Sequence, residues 1–272
     1  MGEFLGPHTP CVVPEPYYTM YDPTAIPEEP SFTETWERKP FVQHLYERFW
    51  GLSSGGWQSW REIVARYWGY VTMLDDLVGR ILTELSDLGL EEETLVVFTA
   101  DHGDMMGAHR LIEKGPFTYE QCYRLPMVAA HPDCESSGIV YDEFVYLHDL
   151  FPTFLEIAEI APPDVPDSTS MLNNLLGREE STGRDSIYSV FHSQIFPYEQ
   201  RMLRTRTHKL VYNRSDIGEL YDLVNDPWEM WNLIDLPETR AVQEELLDLM
   251  RQQMVRLDDP ILGFFDRIRH VY

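Results

Sequence analysis

The chain has 272 residues, of which 43% are hydrophobic and 13% aromatic, and its 21 Lys plus Arg against 46 Asp plus Glu give a formal charge of −25. That length and apolar content suit one or two packed domains and exclude a disordered chain. The charge repels nucleic acid and anionic membrane surfaces, leaving room only for a local cationic pocket around one small anion.

The N-terminal stretch "MGEFLGPHTP" reads as the end of a strand and its exit loop. Residues 7–40 are rich in proline, and each proline removes an amide donor, so this stretch is expected to be an extended loop wrapped over something else. Over 57–88 the residues Ile63, Tyr67, Tyr70, Val71, Leu74, Leu77, Val78, Ile81, Leu82 and Leu85 recur at three and four, which predicts a long amphipathic helix with Gly89 as its stop. The run "TLVVFTA" at 94–100 is β-branched and apolar without alternation, the pattern of a strand buried on both faces of a largely parallel sheet. A second strand in "LPMVAAHP" and a helix over 148–160 repeat this α/β pattern. After Gly183 come short alternating strands in "SIYSVFH", "RMLRTRTHKLVYN" and "GELYDL", then a helix over 239–257. The division expected is an α/β domain over 1–183 and a small antiparallel sheet with one helix over 184–272.

Cys11, Cys122 and Cys134 are odd in number and widely spaced, with no CxxC pair, so neither a disulfide framework nor a zinc knuckle is suggested. Free thiols and a reducing, cytoplasmic compartment are expected. No basic region followed by an apolar stretch opens the chain, and no apolar run approaches the roughly 18 residues of a membrane span.

The chemistry gathers in "FTADHGDMMGAHRLIEKG", residues 98–115. Asp101 and His102 stand just past the carboxyl end of a strand, where α/β sheets present ligands to their substrates. Asp-His-Gly also reads as a capped turn. Its position favours a metal site, because a carboxylate and an imidazole offer a hard oxygen and a borderline nitrogen to one point. Asp75 and Asp76, adjacent on a helix, point about 100° apart and read as solvent-facing or capping. Lys114 reads either as an ordinary surface lysine or as an anion ligand in a chain with few cations. His8, flanked by Pro7 and by Thr9-Pro10, reads as either exposed and idle or functional.

Taken together, "GPHTPCVVPEPYYTMYDP", the segment from "LDDLVGRILTEL" through "DHGDMMGAHRLIEKGPFTYEQCYRLPMV", and "RTRTHKLVYNRSDIGELYDLVNDPWEMWNL" resemble the later part of the sulfatase family, within the alkaline phosphatase-like superfamily. The resemblance covers nearly the whole chain. It implies an α/β/α sandwich, present in part, with a small C-terminal antiparallel sheet plus helix. It also implies metal-dependent hydrolysis of sulfate monoesters, or of phosphonate or phosphate esters, and a small anionic ester as the only partner besides a second copy of the chain.

By the same resemblance Asp101 and His102 are metal ligands, for Ca2+ first and Mn2+ or Zn2+ as alternatives. Lys114 and His8 are catalytic residues that hold the substrate's anionic group or its leaving group, and His109 in "GAH" is a weaker substrate contact. Sulfatases also carry a strand ending in an Asp pair, and a Cys-x-Pro-Ser-Arg motif whose cysteine becomes the formylglycine nucleophile; these 272 residues contain neither. The resemblance therefore implies the second half of a sulfatase, with half an active site and an uncovered apolar face, inactive by itself and prone to associate. A phosphonate monoester or phosphodiester hydrolase and a non-catalytic partner-binding remnant are the competing expectations.

Overall fold

The computed structural model describes residues 2–52, 55–163, 165–178 and 182–269. The chain folds as two compact units, Met1–Glu37 with Val42–Met127, and Arg38–Phe41 with Val128–Tyr272. The boundary expected at 183/184 lies inside the second unit, just ahead of its antiparallel sheet.

In the first unit the proline-rich segment has no long element, only single 3-10 turns at Pro23–Ala25 and Pro30–Thr33. Each opens on proline and is capped by the preceding acid, Asp22 or Glu29, whose carboxylate accepts an amide two residues on. Helix α1 (Phe41–Trp50) follows. It is a helix the sequence pattern does not announce, with Val42 and Tyr46, four residues apart, both pointing inward.

The long helix α2 (Trp57–Asp87) forms where the periodicity places it, and Gly89 adopts φ 67° just past its end. What α2 buries differs from expectation. Only Trp60, Val64, Ala65 and Gly69 are buried, all in the first half, and Val64 and Ala65 share a cluster with Ile26 and Met106. The proline-rich loop lies along α2 from Arg66 to Asp76. Tyr18 O accepts from Arg66 at 2.6 Å, Tyr21 and Thr72 hydroxyls pair at 2.8 Å, and Tyr17 donates to Asp76 at 2.6 Å. A Cβ on Gly69 would stand 2.1 Å from Tyr17 O, so glycine is what lets the loop backbone touch the helix. Beyond Gly69 no residue of α2 is buried, and Ile81 and Leu82 are 52% and 42% exposed.

Strand β1 (Val96–Thr99) is likewise present but not buried on both faces, since Phe98 is 47% exposed. The short helix α3 (Glu120–Tyr123) closes the loop that follows β1. Its Cys122 is buried, and all three cysteines are free.

The second unit takes up β2 (Met127–Ala130) from its second residue, α4 (Leu150–Ile157) and α5 (Leu172–Leu175), then the sheet β3 (Ser186–Gln194), β4 (Phe196–Thr205), β5 (His208–Asn213) and β6 (Glu219–Asp222). These four pair antiparallel in chain order, with Leu203 opposite Leu210 and Leu210 opposite Leu220. The stretch "RMLRTRTHKLVYN" is two strands rather than one, turning at Arg206-Thr207.

Helix α6 (Arg240–Arg256) buries Leu246, Leu247, Met250 and Met254 at helical spacing against Tyr188, Leu203, Leu210, Tyr212 and Leu220. Helix α7 (Leu262–Ile268) completes this core through Phe265. The short segment Arg38–Phe41 joins this unit because Lys39 is buried in it, donating to Tyr221 Oη at 2.9 Å and Glu229 O at 2.5 Å. Among the described residues no helix is long and apolar enough to cross a membrane.

Candidate active site

The Asp101-His102-Gly103 turn is held by its glycine. Gly103 N donates to Cys122 O at 3.0 Å, and a Cβ on Gly103 would fall 1.8 Å from Gln121 O. The chain end of β1 therefore runs directly against the backbone of α3, and only glycine fits that approach.

From this anchor, His102 Nδ1 lies 2.8 Å from Gly103 O. A carbonyl only accepts, so Nδ1 donates to it and Nε2 is the ring nitrogen left to serve as a ligand. His102 Nε2 stands 3.6 Å from Asp101 Oδ2. Asp101 Oδ1 accepts the amide of His102 at 3.0 Å, so the turn-capping reading is realised as well, and its other oxygen remains available. The Asp101 side chain is 87% exposed. One carboxylate oxygen and one imidazole nitrogen fit a divalent cation as two members of a donor set. Among the described residues no group of three or more His, Cys, Asp and Glu side chains is placed to hold a metal.

The loop from Asp104 to Lys114 is pinned from within. Asp104 Oδ1 accepts the amides of Met106 and Glu113, each at 2.9 Å, and Met105 N donates to Glu113 O at 3.0 Å. Burial raises the Asp104 carboxyl above its ordinary value. Its bonds from the amides of Met106 and Glu113 oppose that rise, and the Glu113 carboxylate adds to it. Tyr46 Oη donates to Lys114 O at 2.5 Å and fixes the backbone of the lysine.

His8 meets this loop. Its Nδ1 donates to Thr9 O at 2.7 Å, and its Nε2 lies 2.7 Å from Lys114 Nζ. An ammonium has no lone pair, so Lys114 donates and His8 accepts. The His8 ring is edge-on to His102, with centroids 6.2 Å apart. Beside them Thr9 Oγ1 donates to Glu113 Oε1.

Four of the five residues expected from the sequence thus form one exposed or half-exposed patch: Asp101, His102, His8 and Lys114. His109 sits elsewhere in the unit, fully buried, its ring stacked on Tyr119 at 3.7 Å, its Nδ1 3.1 Å from Glu34 and its amide bonded to Ser31. Asp75 and Asp76 are exposed on α2, apart from the Tyr17 bond of Asp76. Asp104, Glu113 and Thr9 were not singled out from the sequence. The one signal for Asp104 was an acid beside Gly103 at a turn, where Asx bonds to nearby amides are common.

Comparisons with known proteins agree with one another. The sulfatase family model matches residues 3–160, and the model for the C-terminal part of N-sulphoglucosamine sulphohydrolase matches 107–256. An arylsulfatase of Clostridium perfringens is 30% identical over 93% of this chain and 52% of its own length. The solved phosphonate monoester hydrolase of Agrobacterium radiobacter is 26% identical, with a TM-score of 0.77 over 92% of this chain and 56% of its own. The chain thus spans about half the length of these two relatives, but it also aligns at 26% identity with 98% of an uncharacterized protein of Haemophilus influenzae. The alkaline phosphatase-like α/β fold expected from the sequence is the fold of these relatives.

Proposed function

We propose that this chain, which belongs to the sulfatase family, carries the anion-holding and part of the metal-holding portion of an active site for sulfate monoester hydrolysis. The observation behind this reading is the 2.7 Å approach of Lys114 Nζ to His8 Nε2, beside the ring of His102. It places an ammonium beside the two histidine rings in a chain whose overall charge would otherwise repel anions.

The residues divide the work by their chemistry. Lys114 contributes a fixed positive charge and three N–H donors, suited to the non-bridging oxygens of a sulfate group. His8, with Nδ1–H committed to Thr9 O, turns its Nε2 to the same point; that nitrogen accepts from Lys114 as it stands, and would hold a proton at the leaving-group oxygen once Lys114 turns to the anion. Asp101 and His102 would hold a divalent cation, which supplies Lewis-acid polarisation of the ester oxygen when bound. The covalent nucleophile of the family has no counterpart in these 272 residues, so this portion binds and polarises and the group that attacks sulfur comes from elsewhere.

A phosphonate monoester is the second reading, favoured by the likeness to the phosphonate monoester hydrolase of Agrobacterium radiobacter. The same donors serve a tetrahedral anion of either kind.

Calorimetry with inorganic sulfate and methylphosphonate tests both. Binding of sulfate that weakens about tenfold or more in Lys114→Ala is expected, from the loss of a hydrogen bond to a charged group. Binding unchanged in Lys114→Ala defeats the reading, and tighter methylphosphonate binding favours the second. The 272-residue chain alone is expected to show no turnover of an aryl sulfate with Ca2+ in excess; turnover that survives purification and is lost in Lys114→Ala would place a nucleophile inside it.

Metal binding has its own expected outcome. With two protein donors the remaining coordination positions fall to water, so Ca2+ or Mn2+ should bind weakly, with binding lost in Asp101→Ala and mostly lost in His102→Ala. Identical isotherms for wild type and Asp101→Ala would return the turn to a purely capping role.

A further inference from the structure

We propose that Thr9 and Glu113 form a latch that sets the distance between His8 and Lys114, making both positioning residues for the anion pocket; this rests on the reading of that pocket given above. Two neighbouring pairs bridge the same two loops. His8 reaches Lys114, and the next residue on one loop, Thr9, reaches the preceding residue on the other, Glu113. The second bridge is the one with a fixed end.

Glu113 is only 9% exposed, and its backbone is tied on both sides, its amide to Asp104 Oδ1 at 2.9 Å and its carbonyl to Met105 N at 3.0 Å and Cys122 Sγ at 3.6 Å. It also sits at φ 59°, a left-handed conformation that the surrounding bonds must hold in place. The loop bearing His8 is the opposite case. It belongs to no helix or strand, His8 is exposed, and its nearest backbone ties are His8 N to Leu5 O at 3.3 Å and Val12 N to Pro10 O at 2.8 Å.

A hydroxyl donating to a sheltered carboxylate is a charge-assisted bond, stronger than these loop contacts. The His8–Lys114 contact itself holds little, because a lysine ammonium sits on four rotatable bonds and samples many rotamers. The Thr9–Glu113 bond therefore decides where His8 stands, and Lys114 follows its backbone, which Glu113 precedes directly. Without the latch His8 would be free to leave, and an anion would have to order both loops as it bound.

The test compares Thr9→Val, Thr9→Ser and Glu113→Gln in the full chain by calorimetry with inorganic sulfate and by backbone 15N relaxation. Thr9→Val is expected to weaken sulfate about tenfold and to lower order parameters across residues 5–12 from a rigid value toward about 0.6 or less. Glu113→Gln should weaken sulfate to a lesser degree, because its amide oxygen still accepts without the charge. Thr9→Ser should restore both readouts, because it returns the hydroxyl, whereas a role for Thr9 in packing alone would not be rescued by the smaller side chain.

Thr9→Val with wild-type affinity overturns the latch whether or not the loop becomes mobile, as does unchanged order in residues 5–12. Should wild type and Lys114→Ala bind sulfate alike, the anion-pocket reading fails, and the order parameters still decide whether Thr9 and Glu113 couple the loops.

Discussion

Asp259→Ala is expected to destabilise the second unit by about 3 kcal/mol, the low end of the cost of taking a partner from a buried charge, because Arg201 keeps Glu199 at 3.3 Å. The Arg201 side chain is fully buried in β4, its Nε 2.7 Å from Asp259 Oδ2 and its Nη2 3.0 Å from Asp259 Oδ1, while Tyr188 Oη donates to the same carboxylate at 2.7 Å. Asp259 Oδ1 also accepts the amide of Ile261 at 3.0 Å, so one carboxylate joins two strands to the turn between α6 and α7. Urea melts of wild type and variant measure the loss. The pair Arg201→Met with Asp259→Leu should recover most of it, because removing both charges removes the desolvation cost along with the attraction. A loss below about 1 kcal/mol would assign the bridge the weight of a surface pair.

The same group gives a pH dependence. Burial alone would raise the Asp259 carboxyl, but the Arg201 guanidinium, the Ile261 amide and the Tyr188 hydroxyl outweigh it and hold the group below its ordinary value of 3.8. A folded value below the unfolded one means that the stabilisation is fully present above the unfolded value and is lost as pH falls through the folded one. Wild type should therefore lose stability below about pH 4, and Asp259→Asn should lose less over that window. Glu219, whose carboxyl burial pushes above 4.5, acts with the opposite sign as pH rises and is common to both proteins.

Gly103→Ala is the second large effect, and it falls on the site. An added Cβ at 1.8 Å from Gln121 O meets backbone, which cannot turn aside as a side chain could. Either the end of β1 or α3 must move, at a cost of about 2 kcal/mol or more. Asp101 and His102 ride on that strand end, so weak metal binding should disappear together with the stability. Gly79→Ala is the control: it lies inside α2 with no atom within 4 Å of the added carbon. There alanine should stabilise by about 0.5–1 kcal/mol through helix propensity alone. A Gly103→Ala protein that melts with wild type and binds Ca2+ equally would show that the glycine is not packed against α3.

How far the sequence could be read differs element by element. Helix α2 was legible because its apolar residues repeat at three and four over about six turns, and Gly89 marks its end. Helix α1 carries the same spacing over only ten residues, too few turns beside a proline-rich stretch for the repeat to stand out. Periodicity names the face a helix would bury, and says nothing of whether a neighbour covers it. Hence Ile81 and Leu82 were expected inside and are exposed, as is Phe98 on β1.

At the site, the sequence by itself determined which chemical groups are present: a carboxylate and an imidazole at a strand end, a lysine after a tight loop, and a histidine in a proline-rich turn. Local chemistry and family resemblance were enough for that, because residue type and spacing are properties of the chain. Only the tertiary structure decided that His8 meets Lys114 across 106 residues, that Thr9 and Glu113 bond beside them, and that His109 turns inward onto Tyr119. Such pairings depend on how distant loops are brought together by burial and backbone hydrogen bonding. Those forces act through space, where positions far apart in the chain become neighbours and positions five residues apart, such as His109 and Lys114, can face opposite surroundings.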